Sequence, residues 1–302
     1  VIVGGGLIGI ELAEMLRSRN IPVTFLVRES SFWNGVLPEG ESQMINEHIL
    51  EHHIDLRLET NLAEIQSDVH GRAKAVVTDK GETIPCDLVG LTAGVSPNID
   101  FLGDSGIVLG RGVKVNRYLE TNIDDVYAIG DCAEQHEAIG NRRPIEAVWY
   151  TGRMMGETLA QILCGNKIPY NPGHWFNSAK FLDIEYQTYG WVFSDLTKKE
   201  NEMHFHWRHP KEKICITVAF DKESRKFLGI NTFGIRMRHD IFDRWLSEAR
   251  DIDHVMEHLK DANFDPEFYD PYESDILTAF NWQFDTQLRM KKKSWQRIFN
   301  GT

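Results

Sequence analysis

Val1-Ile2-Val3-Gly4-Gly5-Gly6-Leu7-Ile8-Gly9-Ile10-Glu11 is the stretch whose reading decides the fold. A short β-branched run leads into Gly-x-Gly-x-x-Gly, formed by Gly4, Gly6 and Gly9, and a helix-favouring segment from Ile10 to Arg17 follows at once. Strand, tight turn, helix is the context that gives this glycine spacing a meaning. Gly4 permits the tight turn, Gly6 lets a pyrophosphate approach the backbone, and Gly9 lets the helix pack closely on the strand. The helix N-terminus then offers N–H groups and the positive end of its dipole to phosphates. The stretch predicts a dinucleotide site on a Rossmann-type α/β unit.

Outward from that turn, Asn20 to Glu29 reads as a second parallel strand, whose end meets the adenosine ribose in such units. An acidic residue there hydrogen-bonds the 2′-OH of NAD, whereas an Arg suits the 2′-phosphate of NADP. Arg28 and Glu29 sit side by side, so NADH and NADPH both stay open. Met44, Ile45, Ile49 and Leu50 recur at helical spacing between Glu41 and His52. Segments 54–58, 73–77 and 82–84 read as short strands, with a turn at Asp79-Lys80-Gly81. Asp87 to Gly94 returns as an apolar strand ending in Thr92-Ala93-Gly94, small residues that permit close approach of a ligand. A further strand over 126–129 is expected to deliver Gly130 and Asp131 at its carboxyl end, where α/β proteins bind ligands. An Asp so placed can accept hydrogen bonds from a ribose or a polyol.

The rest of the chain narrows the function by exclusion. A formal charge of -12 over 302 residues argues against general nucleic-acid binding, which needs phosphate-neutralising cations. No apolar run approaches the length of a membrane span, and no signal-peptide pattern is visible. Cys86, Cys132, Cys164 and Cys215 are scattered without zinc-like spacing, which reads as reduced thiols of a cytoplasmic protein. No Ser/His/Asp set or carboxylate dyad suggests hydrolysis. His204, His206 and His209 lack a supporting carboxylate or cysteine at ligand spacing, so they read as satisfied surface histidines, and no metal site is expected. Residues 169–173 (Pro-Tyr-Asn-Pro-Gly) look like a linker. Beyond it, 182–189, 202–207, 214–220 and 226–233 read as an antiparallel meander, followed by amphipathic helices near 238–246 and 252–259. Residues 265–273 read as an irregular loop, and 289–297, beside Trp295 and Ile298, as a solvated basic end.

Three motifs in this order resemble the FAD/NAD(P)-linked pyridine nucleotide–disulfide oxidoreductase superfamily. Gly4-Gly5-Gly6-Leu7-Ile8-Gly9-Ile10-Glu11 is similar to its nicotinamide-domain fingerprint, Thr92-Ala93-Gly94 with Pro97-Asn98 to its second motif, and Thr121 to Asp131 to its flavin motif. The resemblance covers roughly residues 1 to 160. It implies that Gly4, Gly6 and Gly9 hold the pyrophosphate and that Asp131, after Gly130, meets the ribityl chain of FAD. Glu11 would lie near the nicotinamide as a catalytic-side electrostatic group, and Arg28 falls where NADPH-using members carry an Arg. Glu146, Val148 and Trp149 resemble the segment opening the helix beneath the isoalloxazine ring, as in the ferredoxin/rubredoxin reductase-like branch. Leu7 departs from the aromatic that many relatives place there.

The resemblance implies an α/β architecture in three parts: an NAD(P)-binding domain over 1–97, the C-terminal part of an FAD-binding domain over 98–168, and an α+β interface domain over 169–302. The chain starts at Val1, inside a strand and without an initiator Met, and the superfamily's first FAD-binding half has no counterpart in it. The expectation is a missing N-terminal portion, and poor FAD retention by this chain alone. The function so implied is a flavin-dependent NAD(P)H oxidoreductase that passes hydride from NAD(P)H to FAD. An unidentified acceptor, a small molecule or a small redox protein, would then receive the electrons. The alternative is a non-catalytic nicotinamide-nucleotide-binding module. An interface-type domain allows a homodimer.

Overall fold

A computed structural model of the chain describes residues 1–264, 267 and 270–291. They divide into two compact units, 1–94 with 176–302, and 95–175. The nucleotide-type portion and the C-terminal portion of the sequence therefore belong to one unit.

In the first unit, β1 (Ile2–Val3), β2 (Thr24–Leu26), β3 (Asp55–Arg57) and β7 (Gly90–Leu91) form a parallel sheet in the order β3-β2-β1-β7. That is the strand order of a Rossmann half. Helices α1 (Leu7–Arg17) and α2 (Glu39–Glu51) connect its first three strands. The three-stranded antiparallel excursion adds β4 (Leu62–Ser67) to the two strands expected, β5 (Ala73–Thr78) and β6 (Thr83–Pro85). β4 escaped the sequence reading because its apolar residues are too sparse: Leu-Ala-Glu-Ile-Gln-Ser is mostly exposed. The strand expected over 87–94 shrinks to two residues, Gly90 and Leu91.

A second sheet in the same unit has the order β10-β11-β14-β13-β12, from β10 (Phe176–Phe181), β11 (Ile184–Gly190), β12 (Glu202–Arg208), β13 (Cys215–Asp221) and β14 (Phe227–Phe233). All pairings are antiparallel, yet the sheet is not the simple meander expected: β11 pairs with β14 rather than with β12. Burial explains this order. β13 is buried along six of its seven residues, so it sits inside the sheet with both faces covered. Ile216, Val218 and Phe220 join one core with α4 (His239–Ser247), α5 (Ile252–Glu257) and α6 (Glu273–Phe284). Cys215 instead belongs to the core of the nucleotide portion, where Phe181, Leu182, Ile184, Tyr186 and Phe233 meet Ile10, Phe25, Phe32, Met44 and Ile45. Edge-on ring contacts run from Phe25 to Phe32 (5.7 Å) and on to Phe181 (6.1 Å).

The second unit holds a parallel pair, β8 (Val113–Val115) with β9 (Ala133–Gln135), and α3 (Trp149–Leu163). The strand expected over 126–129 does not form a ladder. Its backbone is extended at Ile129, but it pairs through one bridge, Glu120 with Tyr127, before Gly130–Cys132 winds into a 3-10 turn. The proline-bearing stretch 169–173 is pinned rather than loose. Tyr170 is buried, its N–H donates to the Arg117 carbonyl, and Arg142 donates to the carbonyls of Pro172 and His174. No helix among the described residues is long and apolar enough to cross a membrane. The basic end lies outside the described residues from 292 onward, as does most of 265–269.

Candidate functional site

The parallel register sets Val3 beside both Leu26 and Leu91, so the segments after β1, β2 and β7 leave the sheet at one carboxyl edge. That edge collects Gly4 to Gly9, Arg28, Glu29, Ala93 and Gly94. Gly4 adopts φ 119°, and a Cβ there would meet the Thr92 carbonyl carbon and oxygen at 2.7 Å. Gly9 is buried, and its Cβ would strike the Gly4 carbonyl oxygen at 2.5 Å and the Phe25 ring at 2.8 Å. A Cβ on Gly5 would press on Val27 at 2.7 Å. Gly6 is the exception, with nothing within 4 Å of where a Cβ would stand. Thus three glycines let protein pack on protein, and Gly6 alone keeps a face of the turn open.

Thr92, read from sequence as part of the second motif but given no role at the site, fastens the turn. Its Oγ1 donates to the Val3 carbonyl (2.9 Å) and lies 3.2 Å from the Gly4 carbonyl, while its N–H donates to Val3 (2.8 Å). The signal available was a hydroxyl directly before two small residues. Gly6 is the N-cap of α1, and no side chain caps that end. The first N–H groups of the helix are thereby left for an anion. An open face at Gly6 and an uncapped helix start fit a dinucleotide pyrophosphate.

The remaining predicted residues of this edge are placed as follows. Leu7 packs partly into the core, and Ile8 is half exposed. Glu11 lies exposed on α1. Arg28 and Glu29 do not stand as separate options: Arg28 Nε donates to Glu29 Oε1 at 2.7 Å. This hydrogen bond, then the charge of Glu29, raises the Arg28 pKa further. Ala93 and Gly94 are exposed, with Gly94 at φ 116°.

In the second unit, Gly130 takes φ 76° with nothing within 4 Å of the place a Cβ would occupy, and Asp131 beside it is exposed. The Gly130 N–H points to Met155 Sδ at 3.3 Å, and a Cβ on Gly152 would lie 3.6 Å from Gly130 Cα, so α3 backs this turn. Val148 is the N-cap of α3, Trp149 its first residue, 69% exposed, and no side chain caps the end. An exposed carboxylate on an open glycine turn, beside an uncapped helix start, fits a polyol phosphate ligand such as the one FAD presents. Glu146 is placed differently. It is partly buried, its side chain 10% exposed, and receives Arg142 Nη1 at 2.8 Å and Thr151 Oγ1 at 3.2 Å, which ties 142–146 to the start of α3.

The histidines of β12 are satisfied, as expected, but they are only partly exposed. His204 Nε2 meets Glu202 Oε1 at 2.7 Å, and His206 Nδ1 meets Thr217 Oγ1 at 2.9 Å. Burial, then the charges of Arg208 and His204, pushes His206 down to about 4. On the same sheet face Glu41, fully buried at the start of α2, accepts from Asn231 Nδ2 at 2.9 Å. Burial outweighs its bonds to Thr217 and Asn231 and pushes the carboxyl up to about 8.

The family profile for pyridine nucleotide-disulphide oxidoreductases matches residues 1–156, more than half of the chain. The chain belongs to this family. NAD(P)H and FAD are the cofactors that membership in the pyridine nucleotide-disulphide oxidoreductases implies. Among curated relatives it is 29% identical over 245 residues to the CoA-dependent NAD(P)H sulfur oxidoreductase of Pyrococcus abyssi, covering 78% of this chain and 54% of that protein. It is 35% identical over 134 residues to the rubredoxin-NAD(+) reductase of Acinetobacter baylyi, covering 44% and 34%. The solved structure of a NAD-dependent persulfide reductase from A. fulgidus superposes with a TM-score of 0.76 at 19% identity, over 94% of this chain and 55% of that one. That likeness establishes the fold. The chain spans about half the length of the first curated relatives it matches.

Proposed function

We propose that this chain supplies the nicotinamide-nucleotide site and part of the flavin site of an NAD(P)H-dependent flavin oxidoreductase. The observation that carries the reading is the turn from Gly4 to Gly9. Three of its glycines are required by protein packing, while Gly6 and the uncapped start of α1 stay open to a diphosphate. Bound nicotinamide and flavin would supply the hydride transfer, which is cofactor chemistry. The chain's own contribution is positional. The N–H groups at the start of α1 bind the pyrophosphate, and Thr92 holds the turn against β7 so that it keeps its shape. Arg28 and Glu29, joined as a pair, meet the adenosine ribose, and Glu11 faces solvent one turn into α1, on the nicotinamide side. Asp131 accepts from the hydroxyls of the flavin's polyol chain. The two curated relatives named above are, by name, a sulfur oxidoreductase and a rubredoxin reductase, which supports an acceptor that is a small molecule or a small redox protein.

NADH and NADPH titrations followed by tryptophan fluorescence test this reading, with Gly6→Val run alongside. Saturable binding is expected for the unaltered chain. Gly6→Val should weaken it more than tenfold with little change in Tm, because a Cβ at Gly6 meets nothing within 4 Å. Equal binding by both proteins, or saturation by neither nucleotide, would sink the proposal.

A further inference from the structure

His48, His52 and Asp183 converge where α2 meets the turn between β10 and β11. His48 Nε2 lies 2.5 Å from Asp183 Oδ1, and His52 Nε2 lies 3.3 Å from the same oxygen. The two imidazoles, one helical turn apart, have centroids 4.5 Å apart, and one ligand atom from each of the three residues lies within 4.8 Å of the others. We propose that these three side chains form a zinc site that ties α2 to the β10–β11 turn.

Zinc takes His nitrogen and carboxylate oxygen at about 2.0–2.2 Å in a tetrahedron, which sets its ligand atoms about 3.3 Å apart. The His52–Asp183 spacing already has that value. The shorter His48–Asp183 contact is a hydrogen bond, and its shared proton is what a cation would displace to solvent. Asp183 is the ligand free to move outward, since its side chain is 71% exposed while that of His48 is 7% exposed.

Two further features fit a cation. His48 Nδ1 is buried and has no hydrogen-bond partner among the described residues, while Glu51 Oε2 stands 3.8 Å away. Once Nε2 binds metal, the proton must sit on Nδ1, and a carboxylate is the usual group to receive it. The carrier of Asp183 is also fixed. Phe181 pairs with Ile184, leaving a two-residue turn in which Leu182 adopts φ 58°. That conformation is costly for a bulky residue. The Leu182 side chain is buried in the core, which holds the turn and presents Asp183 over the helix.

The spacing His48-x-x-Glu51-His52 also occurs on helices of zinc hydrolases, where the Glu activates water. Here Glu51 is paired with Lys213 at 2.8 Å, so the role assigned is a structural tie. An open groove of about 480 Å³, lined by Glu14, Arg17, His52, Lys180 and Asp183 among others, gives a water access to the fourth position. Its two cations are occupied: Arg17 Nε donates to the His52 carbonyl and Lys180 pairs with Glu14.

The test is a Co²⁺ titration of the untagged, metal-free 302-residue chain, read in the visible d–d bands, followed by Zn²⁺. The expected result is one Co²⁺ per chain in a four-coordinate spectrum without thiolate charge transfer, bleached by equimolar Zn²⁺. Zn²⁺ alone should raise Tm. Asp183→Asn and His52→Ala, both at partly exposed positions, should fold with unchanged metal-free Tm. Each should weaken binding about tenfold or more and abolish the Zn²⁺-induced rise. No saturable band overturns the site. So does a band, or a Tm rise, that persists in both variants, because the ion would then sit elsewhere.

Discussion

Gly4 and Gly130 both carry positive φ beside a cofactor motif, yet their surroundings differ. Gly4 is pressed against the Thr92 peptide, and its neighbours Gly5 and Gly9 are pressed against Val27, Phe25 and the chain itself. Gly130 has nothing within 4 Å of a Cβ position and an exposed Asp131 beside it. The first turn is closed by its own protein on every side but one, at Gly6. The second is backed by α3 and otherwise open. Glycine at one place serves packing, and at the other serves backbone conformation alone. The acids of the two units differ in the same sense: Glu41 is buried among neutral hydrogen-bond donors, whereas the partly buried Glu146 lies against a buried guanidinium.

The largest effect is expected where a buried charge loses its partner. Arg142→Met would leave Glu146 unpaired and release the carbonyls of 172–174, costing about 3–5 kcal/mol in urea unfolding. The double variant with Glu146→Gln should recover a good part of that. If the single variant is neutral, the second unit does not depend on this pair.

Next comes Gly9→Ala. A methyl group 2.5 Å from the Gly4 carbonyl cannot be relieved by a flexible side chain, so we expect a loss of about 1–3 kcal/mol together with weakened NADH binding. Gly6→Val should show the weakened binding without the loss of stability, and identical behaviour of the two variants would erase the division of labour within the turn.

The most gradual effect, smallest over any single pH unit, belongs to Glu41. Its folded pKa is raised from 4.5 to about 8, so the stability it contributes is present below 4.5 and is lost as pH rises through 8. The slope is at most about 1.4 kcal/mol per pH unit. His206, lowered from 6.5 to about 4, acts in the opposite sense: its contribution is present above 6.5 and is lost as pH falls towards 4. The two slopes offset one another between 4.5 and 6.5, leaving a decline above 6.5 that is due to Glu41. Glu41→Gln should remove that decline and uncover a rise between about pH 4 and 6.5. Urea midpoints across roughly pH 4–9 measure both, and an unchanged profile would mean Glu41 is ionised in the folded protein.

The sequence was most legible where chemistry and periodicity agreed. Gly4, Gly6 and Gly9 after a β-branched run, and the apolar spacing of Met44, Ile45 and Ile49, led directly to β1, α1 and α2. It was least legible where one residue answers to a distant one. Nothing near Thr92 says that its hydroxyl closes the turn of Gly4, 88 residues away. The pairing of β11 with β14 depends on both faces of β13 being covered, a property of the whole unit. His48 and His52 carried a visible helical spacing, but their third partner lies 131 residues beyond His52, in a turn whose sequence, Leu-Asp, shows no turn preference at its first position.

The two-faced sheet has a consequence for how such proteins are recombined. Phe181, Leu182, Ile184, Tyr186 and Phe233 are the floor on which α2 and the ring of Phe32 rest. Residues 1–94 cut out by themselves would leave that floor behind and carry a bare aromatic face into water. A graft of this nucleotide unit into another enzyme therefore has to bring the hairpin 176–190 and β14 with it, or meet a host sheet that presents the same rings. Inheritance of the two halves as separate parts is closed to this chain by the packing of a few phenylalanines.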